Sequence, residues 1–221
     1  MLEDAIAWAP DLLDGLRLTV MLTFVSMALA TLLGLVLALG RLKRRTSVIY
    51  WTSTIFVELI RGSPLLLQLF YIYYVLPEVG IRLNAFTAGV IGLTLNYSAY
   101  ISEVYRSGIQ AIGRGQHDAA AALGMTGPLA MRRIVLPQAI RIVIPTLGNY
   151  FIGLFKDTAL CSVVSIQEVL FTAQIIAAQS FQYFTLYTVV GVMYFCVSFP
   201  AARLVGYLER VTRRGYARKR R

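Results

Sequence analysis

The chain has 221 residues, of which 57% are hydrophobic and only 14% charged, with a mean hydropathy of +0.66. That balance lies outside the range of ordinary soluble domains and predicts an all-α integral membrane protein. The formal net charge of +10 would suit nucleic acid in a soluble protein. Here topology and anionic head groups account for the cations, so membrane lipid is an expected partner and nucleic acid is not.

The leading residues include Glu3, Asp4, Asp11 and Asp14 and no Lys or Arg. A cleavable signal needs a cationic start and a shorter apolar run, so the first span, residues 16–40, is expected to remain in the mature protein. Its only charge is Arg17, and it exceeds the ~20 apolar residues that cross ~30 Å of hydrocarbon. The second span, about 49–76, is interrupted by Glu58, Arg61 and Pro64. Glu58 and Arg61 lie at i, i+3 on one helix face and can pair; both read as scaffold, with residues 61–64 breaking the span.

The third span is about 85–101. The fourth, about 142–170, contains Lys156, Asp157 and Glu168; neighbours in a helix point about 100° apart, so Lys156 and Asp157 need not pair, and a structural role is favoured for both. The fifth is about 183–208, uncharged from 183 to 202. Interrupted spans face protein or a water-lined path. Cys161 and Cys196 both fall inside spans and read as buried apolar packing, not as a disulfide or metal framework.

Cytoplasmic loops close to spans accumulate Lys and Arg. Arg41, Lys43, Arg44 and Arg45 follow the first span, Arg114, Arg132, Arg133 and Arg141 the third, and residues 210–221 are dense with Arg. The remaining connections carry only Glu78 and Arg82 in one case and no charge over 172–182 in the other. Five spans, with the N-terminus outside and the C-terminus cytoplasmic, satisfy every loop, and residues 1–221 form one membrane domain.

The long cytoplasmic loop, about 107–141, is expected to be ordered. The alanine-rich run 117–123 is a strong helix former, and Gly124 sits where a glycine stops a helix. Thr126 can cap a second short helix with Pro128 in its first turn, and Pro137 and Pro145 are expected to break the chain before it returns to the bilayer. The lone His117 has no neighbouring His or Cys with which to bind zinc. No G-x-x-x-x-G-K-[ST] phosphate cradle occurs, so the chain is not expected to be an enzyme, and no cofactor or metal is assigned to it.

The spacing Asp118-Ala-Ala, three residues, Gly124, nine residues, then Ile134-x-Leu-Pro137 resembles the EAA loop of bacterial ABC import permeases, with Asp118 in place of Glu. Residues 58–70 (ELIRGSPLLLQLF), 96–103 (NYSAYISE), 136–141 (LPQAIR) and 154–160 (LFKDTAL) are similar to the polar amino acid subfamily, the histidine, glutamine, arginine and opine-type permeases. The likeness runs from about residue 15 to residue 209. It implies a type I ABC importer-like permease domain in the bacterial cytoplasmic (inner) membrane. Gly115, Asp118, Ala119, Ala120, Gly124, Met125 and Pro137 would dock an ATP-binding-cassette ATPase subunit, which holds the ATP and Mg. The resemblance also implies a second permease subunit, identical or homologous, an extracytoplasmic substrate-binding protein, and a polar amino acid or related zwitterion as cargo.

Such a cargo needs an acceptor for its ammonium and donors for its carboxylate. Glu168 is the candidate for the first, with Asn96, Ser98 and Thr158 as hydrogen-bonding groups along the path; the competing reading is that these residues glue helices together. The alternative function is an ion-coupled secondary carrier or channel.

Overall fold

The computed structural model describes residues 2–217, with side chains described for 7–212. Every regular element among them is helical. Helix α1 (Leu2–Arg41) begins well before the apolar run and continues through Pro10. At 1.5 Å per residue its 40 residues reach about 60 Å, so it overshoots any hydrocarbon core.

Helix α2 (Val48–Arg61) is followed by α3 (Leu65–Phe70), which runs on through a π-helical turn (Tyr71–Val75) and a 3-10 turn (Leu76–Val79). The two halves of this segment are bent by 104°, at the break expected over residues 61–64. Pro64 has no N–H to donate and disfavours helical backbone in the residue before it, which ends α2. Gln68 repairs the corner: its Nε2 donates to the Ile60 carbonyl at 2.8 Å and to the Ser63 carbonyl at 3.1 Å.

Helix α4 (Ala85–Gln110) starts at Asn84, whose side chain accepts the Thr87 N–H at 2.8 Å. Its 26 residues reach about 39 Å. Two single helices, Ala7–Arg41 and Tyr183–Thr212, are long and apolar enough to cross a membrane, as are two bent pairs if each is one span. Helix α4 is not among them because its polar residues lower its hydropathy. More than half of it is buried, including Thr94, Asn96, Ser98 and Ser102, and polar side chains are tolerated where lipid cannot reach them. Close approach makes this possible: a methyl group at Gly34 of α1 would lie 2.8 Å from Ile101 Cγ2 and 3.0 Å from the Ser98 carbonyl.

Beyond α5 (Arg114–Ala122), α6 (Gly127–Ala130), a π-helical turn (Met131–Val135) and α7 (Leu136–Asp157) follow one another directly. The breaks expected at Pro137 and Pro145 do not occur. The Leu136 N–H reaches back five residues to Met131, so the wide turn absorbs the donor that Pro137 lacks. Pro145 is buried in the interior of α7. Thr126 stands at the N-cap of α6 without a side-chain hydrogen bond.

After α7 the chain takes a 3-10 turn (Thr158–Val164), then forms α8 (Val169–Ser180) and α9 (Tyr183–Ala217). Residues 172–182, expected as an external connection, are thus largely helix. The main core joins Leu22, Leu69, Leu93, Ile101 and Leu154, and a second joins Leu12, Val169, Ala173, Leu186 and Val190 of α1, α8 and α9. The apolar window of α9 is only 17% buried, which leaves Phe184, Phe195 and Leu204 on a surface suited to lipid or another subunit.

Candidate functional site

A cavity of about 570 Å³ opens where the 61–65 corner, the middle of α4 and the C-terminal half of α7 meet. Helix α4 supplies Asn96, Tyr97 and Tyr100, and α7 supplies Tyr150 and Asp157, seven residues apart and so on one face. The Tyr97 hydroxyl donates to Asp157 Oδ2 at 2.7 Å. The rings of Tyr97 and Tyr100 each lie 6.2 Å from that of Tyr150. The Arg61 guanidinium sits over Tyr100, 5.5 Å from the ring centre, a cation–π geometry. One cavity therefore holds a guanidinium, a carboxylate and three tyrosines.

Asn96 lines this cavity, and its amide donates to Gln68 Oε1 at 3.1 Å, tying α4 to the corner. The other path candidates lie elsewhere. Ser98 and Thr158 are buried and donate within their own helical turns, to the Leu95 carbonyl at 2.8 Å and the Phe155 carbonyl at 2.7 Å. Glu168 is fully buried at the N-cap of α8. Its Oε2 accepts the Leu170 N–H at 3.0 Å and the Tyr194 hydroxyl at 3.0 Å, and its Oε1 accepts the Phe171 N–H at 2.8 Å. The Val169 N–H goes to Thr19 Oγ1 at 3.2 Å. The Leu170 and Phe171 N–H groups are donors that a helix start leaves unpaired, and together with the Tyr194 hydroxyl they occupy both oxygens of the carboxylate expected to meet an ammonium. The sequence assigned no site role to Arg61, Tyr97, Tyr100, Tyr150 or Asp157, although all but Tyr150 fall in the family-like stretches 58–70, 96–103 and 154–160.

Glu58 and Arg61 do not pair with each other as expected. Glu58 faces Arg41 Nη2 at 3.5 Å, while Arg61 Nη1 lies 3.5 Å from Glu103 Oε1. Glu103 also accepts from Arg41 Nη1 and, through Oε2, from Arg106 at 2.7 and 2.9 Å. The ends of α1 and α2 are thereby held to α4. Lys156 is exposed, Cys161 is buried, and Cys196 is exposed, not packed inside as the sequence suggested.

The loop over residues 107–141 forms a second feature. Helix α5 ends in a Schellman turn: the Met125 N–H reaches the Ala120 carbonyl at 3.0 Å and the Gly124 N–H the Ala121 carbonyl at 2.9 Å. Gly124 has φ +69°, a conformation that favours glycine. Ala120 is buried and Met125 half-buried, while Gly115, Asp118, Ala119, Gly124 and Pro137 are exposed and Leu123 is 78% exposed. Beneath them Ile112, Val135 and Ala139 form a small core that fixes the loop to the root of α7. The result is a short helix, packed at its base, with a bare outer face.

Residues 30–214 match the family described as "Binding-protein-dependent transport system inner membrane component". The chain is 43% identical to a probable amino-acid ABC transporter permease protein of Sinorhizobium fredii, over 93% of this chain and 88% of that one. It is 36% identical to an L-cystine transport system permease protein of Bacillus subtilis, over 91% and 86%. A solved amino acid ABC transporter with histidines superimposes with a TM-score of 0.91 at 38% identity, covering 95% of this chain and 98% of that one. Inward-facing MetNI methionine ABC transporter superimposes at 0.70 with 20% identity over 91% and 98%, a likeness of fold alone. The all-helical architecture is that of the type I importers. The chain belongs to the binding-protein-dependent transport system inner membrane components, as a permease of an ABC importer.

Proposed function

We propose that this permease passes a polar amino acid or related zwitterion, and that the cavity between the 61–65 corner, α4 and α7 is its substrate station. The observation that carries this reading is that Arg61 and Asp157, a cation and an anion not bonded to each other, both line one tyrosine-lined space. A zwitterion brings an anion and a cation together, and a site with one group of each sign receives it without leaving a charge unpaired. Asp157 takes the ammonium and Arg61 the carboxylate, with Asn96 holding the corner in place. Ser98 and Thr158 stiffen the turns behind the cavity, and Glu168 starts α8.

The energy comes from a separate ATP-binding-cassette subunit, which binds the ATP and Mg. It docks on the face formed by Gly115, Asp118, Ala119, Gly124, Met125 and Pro137, with Ala120 packed beneath it. The exposed alanine face and Leu123 give a partner groove close access to the backbone of α5. A second permease subunit closes the cavity, and a receptor outside delivers the cargo. The N-terminus lies outside and the C-terminus inside, as the clustered arginines require. The two states of such a gate differ by rigid-body movement, and each ligand shifts them only by its differential affinity.

The test is uptake of a panel of labelled amino acids into vesicles holding the permease, its ATPase and its receptor. ATP-dependent accumulation of at least one zwitterion is expected. Accumulation that ignores ATP and follows a proton or sodium gradient would instead make the chain a secondary carrier.

A further inference from the structure

Resting on the reading of the cavity as a zwitterion site, we propose that Glu103 competes with the substrate's carboxylate for Arg61. It holds the guanidinium when the cavity is empty and gives it up when cargo arrives. Three arginines converge on Glu103, and they are not equivalent. Arg106 makes a two-pronged contact with Oε2 at 2.7 and 2.9 Å. Arg41 donates to Oε1 with its side chain only 11% exposed. Arg61 is the loosest of the three, 3.5 Å from Oε1 and 37% exposed, and of the three it alone lines the cavity.

Charge arithmetic points the same way. Within the cluster three guanidiniums, Arg41, Arg61 and Arg106, face two carboxylates, Glu58 and Glu103. The cluster itself is one anion short, while Asp157, across the cavity, is engaged by Tyr97. A carboxylate entering the cavity supplies the missing charge at the arginine least committed to Glu103. It can approach at the 2.7–2.9 Å usual for charge-assisted bonds, closer than Glu103 does. The Tyr100 ring keeps the guanidinium near the cavity while it changes partners. Glu103 is thus a positioning residue whose strength of grip sets the affinity for carboxylate.

The consequence reaches beyond binding. Glu103 and Arg106 sit on the last turns of α4, where Arg106 Nη1 also bonds Gln110 at 2.7 Å, and α4 leads within four residues to α5. Cargo that takes Arg61 from Glu103 loosens the corner from the helix that carries the docking loop.

The test compares binding to the assembled permease–ATPase complex of the tightest ligand among the twenty common amino acids with binding of the α-carboxamide of that same amino acid. Wild type is expected to prefer the free carboxylate. Glu103→Gln should tighten the amino acid by about fivefold, the scale of one partly exposed charged contact, and leave the amide unmoved. Arg106→Gln should do the reverse, because a Glu103 freed from Arg106 grips Arg61 harder. Arg61→Gln should erase the difference between acid and amide. If Glu103→Gln does not fold, Arg106→Gln and Glu103→Asp carry the test. Equal effects on acid and amide, or the same sign in both variants, would overturn the competition while leaving the zwitterion cavity standing. A complex that binds no amino acid at all overturns the cavity reading and this inference with it.

Discussion

Asp157 ends α7 and Glu168 caps α8, eleven residues apart in the stretch expected as the fourth span, and the molecule treats the two carboxylates in opposite ways. Around Glu168 two backbone N–H groups of α8 and the Tyr194 hydroxyl fill both oxygens, and no surface is left exposed. Around Asp157 one hydroxyl, from Tyr97, is the hydrogen-bond partner among the described residues, and the group borders a cavity of about 570 Å³. A carboxylate in a membrane segment is costly in either place. On the proposed reading, what separates a structural carboxylate from a substrate-binding one is whether the fold already fills its acceptor capacity.

The contrast can be broken most sharply at α8. Replacing Glu168 with Ala strips the cap and leaves buried donors without acceptors; cap loss costs about 1 kcal/mol and each orphaned buried group about 1–3. The expected outcome is a complex that no longer survives purification, read as loss of the monodisperse peak in detergent chromatography. Asp157→Asn should do the converse: a normal melting profile with uptake reduced about thirtyfold, equivalent to about 2 kcal/mol. Gly124→Ala puts a Cβ into the left-handed region, which costs about 1–2 kcal/mol. It should weaken retention of the ATPase during copurification several-fold while substrate binding is unchanged. The smallest effect belongs to Tyr194→Phe, which removes one of three donors to Glu168 and should lower thermal stability by about 1 kcal/mol without altering transport.

The difference between the two carboxylates was not legible in the sequence. Their partners Tyr97 and Tyr194 lie 60 and 26 residues away, and neither periodicity nor spacing says which hydroxyl will reach which acid. Features decided locally were legible. The turn at Gly124 follows from a glycine placed after an alanine run, and the corner at 61–64 follows from Gly62 and Pro64. Pro137 misled because a proline reads as a break, whereas a π-helical turn before it supplied an alternative hydrogen-bond pattern and let the helix run on. The pairing of Glu58 with Arg61 was a sound local expectation that a tertiary competitor, Glu103, defeated for Arg61, while Arg41 took Glu58. The polar character of α4, which made the third span look short, records burial among other helices, a property of the assembled bundle.

ATP-driven uptake of the preferred amino acid, measured side by side for wild type, Asp157→Asn and Glu168→Gln in vesicles containing the ATPase and receptor, tests the account most directly. Wild type and Glu168→Gln, whose amide oxygen still caps α8, are predicted to accumulate cargo, and Asp157→Asn is predicted to fall about thirtyfold despite normal assembly. Full transport by Asp157→Asn, with loss confined to a well-folded Glu168→Gln, would contradict it.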